Sequence, residues 1–446
     1  STLIFDHPTA RGLGDFFLAQ VAPPDAVAER QIVGCCPGAS LKCKKPVLPG
    51  GARGLSMAWH LANTGCTAFT ASPAMRWEQA DESASVGRYG AFMVGVQLFD
   101  NTAFGISSPE LSTMDPQQRI LLELAYDALH GSCLPRSELT ESNSAVFVGV
   151  MSTEFAYVLP HVNAYAMTGT GHCIAAGRIS YALALHGACE AIDVACSAAL
   201  VACHHARRAV QMCEARDALF AGVNMMFIPA TLDGYAAAGL TSPSGKAFVF
   251  DVSASGFVRG EGCAAGVFQA PATEVLALVA GTAVRSDGRS ASLTAPNGRA
   301  QQLLLSAVLA DASMTPSQLQ LVEAAANGSA LGDPIEAGAI AASLLAQCVQ
   351  TLVAGSIKAN IGHTESASGT MGLTKLLCAM YHAHATSIAQ LRVVSPLVAS
   401  AWNSASAACA LPSQQTVATA ADPLSGTVSS FGLGGTIASA VLRMAE

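Results

Sequence analysis

The sequence predicts a layered α/β fold, on three observations. Hydrophobic residues make up 51% of the 446-residue chain and charged residues only 12%, so most elements must be covered on more than one side. Short β-branched and aromatic runs, such as residues 145–150, alternate with longer helical periodicities, such as residues 120–129. The length exceeds one ordinary domain and suits either two domains or one large α/β unit.

Taken in order, residues 1–20 stand apart from the rest of the chain. Pro8-Thr9 opens a short helix with Leu13, Phe16, Phe17 and Leu18 on its apolar side, and residues 21–30, with Pro23-Pro24, read as a linker. Ile32-Val33-Gly34 reads as the first core strand, and residues 39–45 as a surface insertion. Residues 57–63 are helical. Asp115-Pro-Gln-Gln-Arg119 is a turn that starts the helix over 120–129, and residues 145–150 form a buried strand. Gly177 to Tyr181 begins another helix; residues 218–223 form a strand with Asn224 at its carboxyl end. From residue 275 a second block of strand and helix patterns runs onward, with no visible sequence repeat between the halves.

Composition excludes several functions. The net charge is −8 and no basic run is longer than Lys44-Lys45, which argues against nucleic acid. No apolar stretch of about 18 residues lacks a polar break, so no membrane span is expected, and no signal-peptide pattern is present. The fourteen cysteines are scattered without zinc spacing. They read as reduced thiols of an intracellular, cytoplasmic protein with no metal site, a plastid destination being left open.

One cysteine differs from the rest. In Ala191-Ile-Asp-Val-Ala-Cys-Ser-Ala-Ala-Leu200 an apolar, β-prone lead-in runs into Cys196, and a helical run over 197–213 comes directly after it. Free backbone N–H groups and the positive end of the helix dipole then favour thiolate over thiol.

Other stretches carry unusual chemistry: Gly256-Phe-Val-Arg-Gly-Glu-Gly262, Asp287-Gly-Arg-Ser290, Leu331-Gly-Asp-Pro-Ile-Glu336, Lys358-Ala-Asn-Ile-Gly-His-Thr364 and Ser430-Phe-Gly-Leu-Gly-Gly-Thr436. With Asp115-Pro-Gln-Gln-Arg119 and Asp193-Val-Ala-Cys-Ser197, they resemble the β-ketoacyl synthase (ketosynthase) domains of modular type I polyketide synthases, in order over residues 31–446. Residues 1–20 resemble the last helix of an acyl carrier protein. The resemblance divides the chain into a carrier remnant (1–20), a linker (21–30), an N-terminal half with the nucleophile (31–270) and a C-terminal half with the histidine and glycine-rich loop (271–446).

It implies a thiolase-like five-layered α-β-α-β-α fold built from two similar halves, usually a homodimer. The chemistry implied is ping-pong. An acyl chain moves from the phosphopantetheine of an acyl carrier protein domain of the same synthase to a cysteine, and a decarboxylating malonyl-type extender then attacks it. No cofactor is bound by the domain itself. Cys196 matches the nucleophile, and its own N–H with that of Leu433 matches the oxyanion hole. His363 matches a histidine whose Nε2–H stabilises the enolate, and Lys358 a buried lysine that orders the histidine network. Asn327, Ser329, Phe431, Gly432 and Gly434 match substrate-binding positions.

The departures are specific. Where the family has E-A-H-G-T-G-T, this chain reads Glu323-Ala-Ala-Ala-Asn-Gly-Ser329, so Ala325 replaces the first catalytic histidine. Acyl transfer relies on the thiol and the oxyanion hole, both retained. Condensation loses a donor worth about 10²–10³ in rate, roughly 3–4 kcal/mol. The expectation is therefore a non-elongating transacylase. Alternatives are an elongating ketosynthase in which water, Asn327 or His363 takes over, and a non-catalytic dimerisation or docking module. Asp333 and Glu336 read as structural, bonding backbone N–H groups. The acyl pocket is expected near residues 164–173 and 231–240, with Met225, Met226 and Phe227 either lining it or packing in the core.

Overall fold

Strands β1 (Ala39–Val47), β2 (Ser144–Gly149), β3 (Cys189–Ile192), β4 (Asp217–Asn224), β5 (Gly262–Gln269), β6 (Ala277–Ser286), β7 (Leu321–Glu323), β8 (Leu352–Gly355), β9 (Cys409–Ala410), β10 (Ser425–Phe431) and β11 (Thr436–Arg443) form one mixed sheet. Its order is β9-β8-β7-β10-β11-β6-β1-β5-β4-β2-β3. The structure, a computed structural model, describes residues 39–74, 76–77, 88–159, 161–269, 275–348, 350–403, 405–417 and 423–445. The carrier-type helix, the linker and the strand expected at Ile32-Val33-Gly34 lie outside the described residues.

The sheet repeats itself. In one half β1 and β5 pair antiparallel, as do β5 and β4, while β4–β2 and β2–β3 are parallel. In the other half β6–β11 and β11–β10 are antiparallel, while β10–β7 and β7–β8 are parallel. The two halves join where Ala39–Leu41 meets Ala277–Val279. An internal repeat invisible in the sequence is thus plain in strand order and sense.

Helices complete the layers. α1 (Gly54–Asn63) packs on β1, while α2 (Pro116–Gly131) and α3 (His172–Leu183) cover the first half. α4 (Ala198–Gln211) and α7 (Ser368–His382) each touch strands of both halves, and α5 (Gly298–Asp311) with α6 (Gly332–Ser343) lies on the second half. This is the α-β-α-β-α arrangement of the thiolase-like fold. α7 is buried from Ser368 to Met380 on every side, as a helix enclosed between the two halves of the sheet must be. Its one internal charge, Lys375, meets Glu323 of β7 at 2.8 Å.

Local chemistry explains where α2 begins. Asp115 caps α2, its side chain accepting the Gln117 N–H at 2.8 Å, with Pro116 at the first helical position. Three sequence expectations need correction. Residues 39–45 are not an insertion but most of β1, at the seam of the sheet. The lysines and Pro46 hid a strand whose Leu41 and Val47 are buried, and a register shift between Leu41 and Cys43 breaks the alternation. α3 starts at His172 rather than Gly177, which falls mid-helix. The nucleophile helix proper begins at Ala198 and ends at Gln211, Cys196 lying in the preceding one-turn 3₁₀ segment Ala195–Ser197.

β2 and α4 approach so closely that a Cβ at Gly149 would lie 2.6 Å from the Ala198 carbonyl carbon and the Ala199 nitrogen. Gly149→Ala is expected to destabilise the fold by about 1–3 kcal/mol. Gly177→Ala, which meets nothing within 4 Å in α3, should stabilise it by about 0.5–1 kcal/mol. Urea midpoints of the two variants check both signs.

Candidate active site

Cys196 is presented by a strained turn. After β3 the chain bends so that the Ala195 N–H donates to Asp193 Oδ1 at 3.1 Å, and Ala195 adopts φ +54°, a left-handed conformation costly for a residue with a Cβ. Ser197 Oγ donates to the Val194 carbonyl at 2.9 Å and tightens the turn. From the second half, Ser430 Oγ donates to the Cys196 carbonyl at 2.7 Å and ties β10 to the nucleophile. At Gly432 a Cβ would lie 2.5 Å from the Val194 oxygen, so only glycine lets the β10–β11 turn come this close. The backbone N–H groups of Leu433 and of Cys196 itself both favour the ionised sulfur.

The thiol is nonetheless not ionised. Burial pushes Cys196 up to about 11, and the Glu365 carboxylate adds to the rise. Lys358 and the two N–H groups act the other way and are outweighed. The expected thiolate is therefore corrected: in the free protein desolvation wins over the helix terminus.

A second strained turn carries the histidine. Glu365, at φ +44°, opens the 3₁₀ segment Glu365–Ala367 that leads into α7. Its backbone N–H donates to His363 Nδ1 at 2.9 Å, and Ser368 Oγ lies 3.1 Å from the same nitrogen. Nδ1 is thus an acceptor, and the proton of the neutral ring sits on Nε2. Burial, then Lys358 and Arg259, hold His363 well below its ordinary range, so the ring stays uncharged.

At Ala325 the backbone does what the side chain cannot. Its N–H donates to Glu336 Oε1 at 2.7 Å, and its carbonyl accepts from Lys358 Nζ. Lys358, fully enclosed, feels Glu336 first among its charged neighbours and Cys196 next. It acts on the His363 ring through its charge. Burial pushes Glu336 up to about 7, against the Ala325 N–H and Lys358. Asp333 accepts the N–H groups of Phe250, Asn327, Gly328 and Ser329, fixing the loop.

One cavity of about 520 Å³ brings together Cys196, Ala325, Asn327, Ser329, Lys358 and His363. Phe431, Gly432 and Leu433 line it as well, while Gly434 does not, its position facing open space. His363 is the one histidine in this lining among the described residues. The expectations for the pocket need revision. Tyr235, Gly239 and Leu240 line it, no residue of 164–173 does, and Met225 and Met226 are fully buried in the core. Sequence reading singled out the stretch from Asp287 to Ser290 without placing it in the wall, missed Gln301, and placed Glu336 only as a structural group. No signal marked Gln301, a buried amide within an ordinary helix.

Comparison with known proteins bears on this geometry. The model of the β-ketoacyl synthase N-terminal domain matches residues 46–272 and that of the C-terminal domain residues 276–392. This chain belongs to the β-ketoacyl synthase family. A phenolphthiocerol/phthiocerol polyketide synthase protein of Mycobacterium bovis is 37% identical over 423 residues, which is 89% of this chain and 23% of that protein. Another phenolphthiocerol/phthiocerol polyketide synthase protein, from Mycobacterium tuberculosis, is 38% identical over 419 residues, 89% of this chain and 27% of the relative. The chain spans about a quarter of the length of the curated relatives it matches. The ketosynthase from module 6 of the bacillaene synthase of Bacillus subtilis 168 superimposes with a TM-score of 0.84 at 28% identity, over 92% of this chain and 72% of that one. An oxazolomycin ketosynthase domain of Streptomyces albus JA3453 gives 0.85 at 26% identity, over 92% and 75%. Fold, motifs and relatives together define a ketosynthase domain of the polyketide synthase kind.

The raised thiol makes a direct prediction. Alkylation of Cys196 by iodoacetamide, read by peptide mass, should accelerate nearly tenfold per pH unit between pH 7 and pH 10, because the thiolate fraction is still climbing there. A rate that levels off below pH 8 contradicts the burial argument.

Proposed function

We propose that this domain takes an acyl chain from a carrier-protein phosphopantetheine thioester onto Cys196 and hands it on without adding carbon. The observation that carries this reading is the methyl of Ala325 in the wall shared by Cys196 and His363, with no other histidine lining that cavity among the described residues. Acyl transfer needs a sulfur nucleophile and two donors for the thioester oxygen. Cys196 is such a sulfur, and the Leu433 and Cys196 N–H groups act on it. Decarboxylative condensation needs polar help at a second carbonyl, and here only the His363 Nε2–H is left to give it. Asn327 and Ser329, on the same cavity wall, suit the amides of a pantetheine arm.

The working unit is a homodimer in this reading. β3 ends the sheet with one side unpaired, and Tyr181 on the adjoining α3 is 84% exposed. A second copy of the chain covers both.

Incubation with an acyl-N-acetylcysteamine thioester should leave an acyl mass on the Cys196 peptide and none in Cys196→Ala. Malonyl thioester added to the acylated protein should yield no extended product, whereas Ala325→His should raise condensation by about 10² or more. A product two carbons longer, formed by the unaltered protein at a rate matching Ala325→His, overturns the handover reading in favour of elongation.

A further inference from the structure

Acyl transfer poses a proton problem of its own. The Cys196 thiol is neutral, so its proton must depart as sulfur attacks. His363 cannot receive it, because Nδ1 already accepts the Glu365 N–H and Nε2 carries the ring hydrogen. Asp333 is saturated by backbone N–H donors from Phe250, Asn327, Gly328 and Ser329. Glu365 shares Oε1 with the Arg259 guanidinium, and its Oε2 is sealed from solvent. Asp287 is held at the β10–β11 turn, its N–H on the Gly435 carbonyl at 2.7 Å.

We propose that Glu336 accepts the proton leaving the Cys196 thiol, through a water seated against the Ala325 methyl, and so serves as the base of acyl transfer. This rests on the reading of Cys196 as acyl acceptor. Glu336 lines the same cavity as Cys196, and its Oε1 holds the N–H of Ala325. Lys358 holds the carbonyl of that same residue and interacts with both Glu336 and Cys196. Carboxyl, methyl and ammonium are therefore linked through one residue of the wall, and Gln301 lines the same cavity. The wall is polar enough to seat a water, and the cavity large enough.

The step balances. Glu336 carboxylate takes the thiol proton, while Lys358 ammonium stabilises the thiolate. The sulfur adds to the thioester carbonyl, the S–C bond to the carrier breaks, and the departing pantetheine thiolate takes the proton back from Glu336. No oxidant or further reactant is consumed.

The charged groups around Glu336 are few. Lys358 and Asp333 act on it directly. α5 carries Arg299, bonded to Gln302, and Asp311, paired with Arg207 and Arg208. The adjoining helix Pro396–Asn403 has no charged residue. Cys196, His363, Glu365 and Asp287 complete the cavity wall. With the carboxyl pushed up to about 7 by burial, the group is a base above that pH and an acid below it, a match for neutral conditions.

The test is the pH dependence of Cys196 acylation by an acyl-N-acetylcysteamine thioester, read by mass. The unaltered chain should show a limb that breaks near pH 7, the rate nearly level above it and falling below it, whereas thiolate formation alone gives a steady slope with no break there. Glu336→Gln should lose that limb and about 10² in rate, while Glu336→Asp keeps the limb at a lower level. In an Ala325→His background the added imidazole should make Glu336→Gln nearly silent, an outcome that a purely structural Glu336 does not give. Should Glu336→Gln fail to fold, the limb in the unaltered chain and in Glu336→Asp decides. Acylation with no limb near pH 7, or with the same limb in Glu336→Gln, overturns the proton role. Absence of any acylation overturns the transacylase reading instead, so the two failures are told apart.

Discussion

The site depends on one buried cation. Arg259 is completely enclosed, with Nη2 on Glu154 at 2.8 Å and Nε on Glu365. Its positive charge allows two carboxylates to stay inside the protein, where either alone would be costly. Glu365, so anchored, holds a left-handed backbone and delivers its N–H to His363 Nδ1. The tautomer of the histidine is therefore set by way of an arginine bonded to its neighbour. The Gly260 N–H closes the loop on the His363 carbonyl at 2.9 Å. Removing Arg259 leaves two buried carboxylates unmatched, and the histidine turn that one of them anchors loses its support.

The same logic explains how a catalytic imidazole can be absent without damage to the frame. At position 325 the bonds to Glu336 and Lys358 are made by main-chain atoms, and these are indifferent to the side chain. Asp333 gathers the adjoining loop by its own set of N–H donors. Scaffold and chemistry are thus separable at this residue. A methyl stands there with the bonds to Glu336 and Lys358 in place.

Much of this was legible in the sequence, for reasons that differ by element. β2 and β4 announced themselves by unbroken apolar runs, and α2 by Asp115 and Pro116 at its start. Cys196 was singled out by the strand-to-helix pattern around it, while Lys358, His363 and Leu433 were singled out only through the resemblance of their motifs to ketosynthases. β1 was not, since lysines and a proline obscure a strand whose burial comes from neighbours distant in sequence. The state of the thiol was also hidden. A helix terminus can be read from a pattern, but the desolvation that overrules it arises only when β10, α7 and the β10–β11 turn close over the sulfur. Glu336 looked structural for a similar reason. Its bond to the Ala325 N–H is the expected cap-like contact, while its place in the cavity wall is a matter of tertiary packing.

The repeated strand order has a consequence for how the two halves divide labour. Each half bends its chain at the same point, with a left-handed residue, Ala195 or Glu365, then a single 3₁₀ turn, then a central helix. The middle residue of that turn is Cys196 in one half and Ser366 in the other. Ser366 is completely buried, and its hydroxyl is committed to the Val223 carbonyl at 2.6 Å. A duplicated unit has therefore kept its reactive elbow once and silenced it once, and the mute copy serves as the post that steadies the histidine facing its twin.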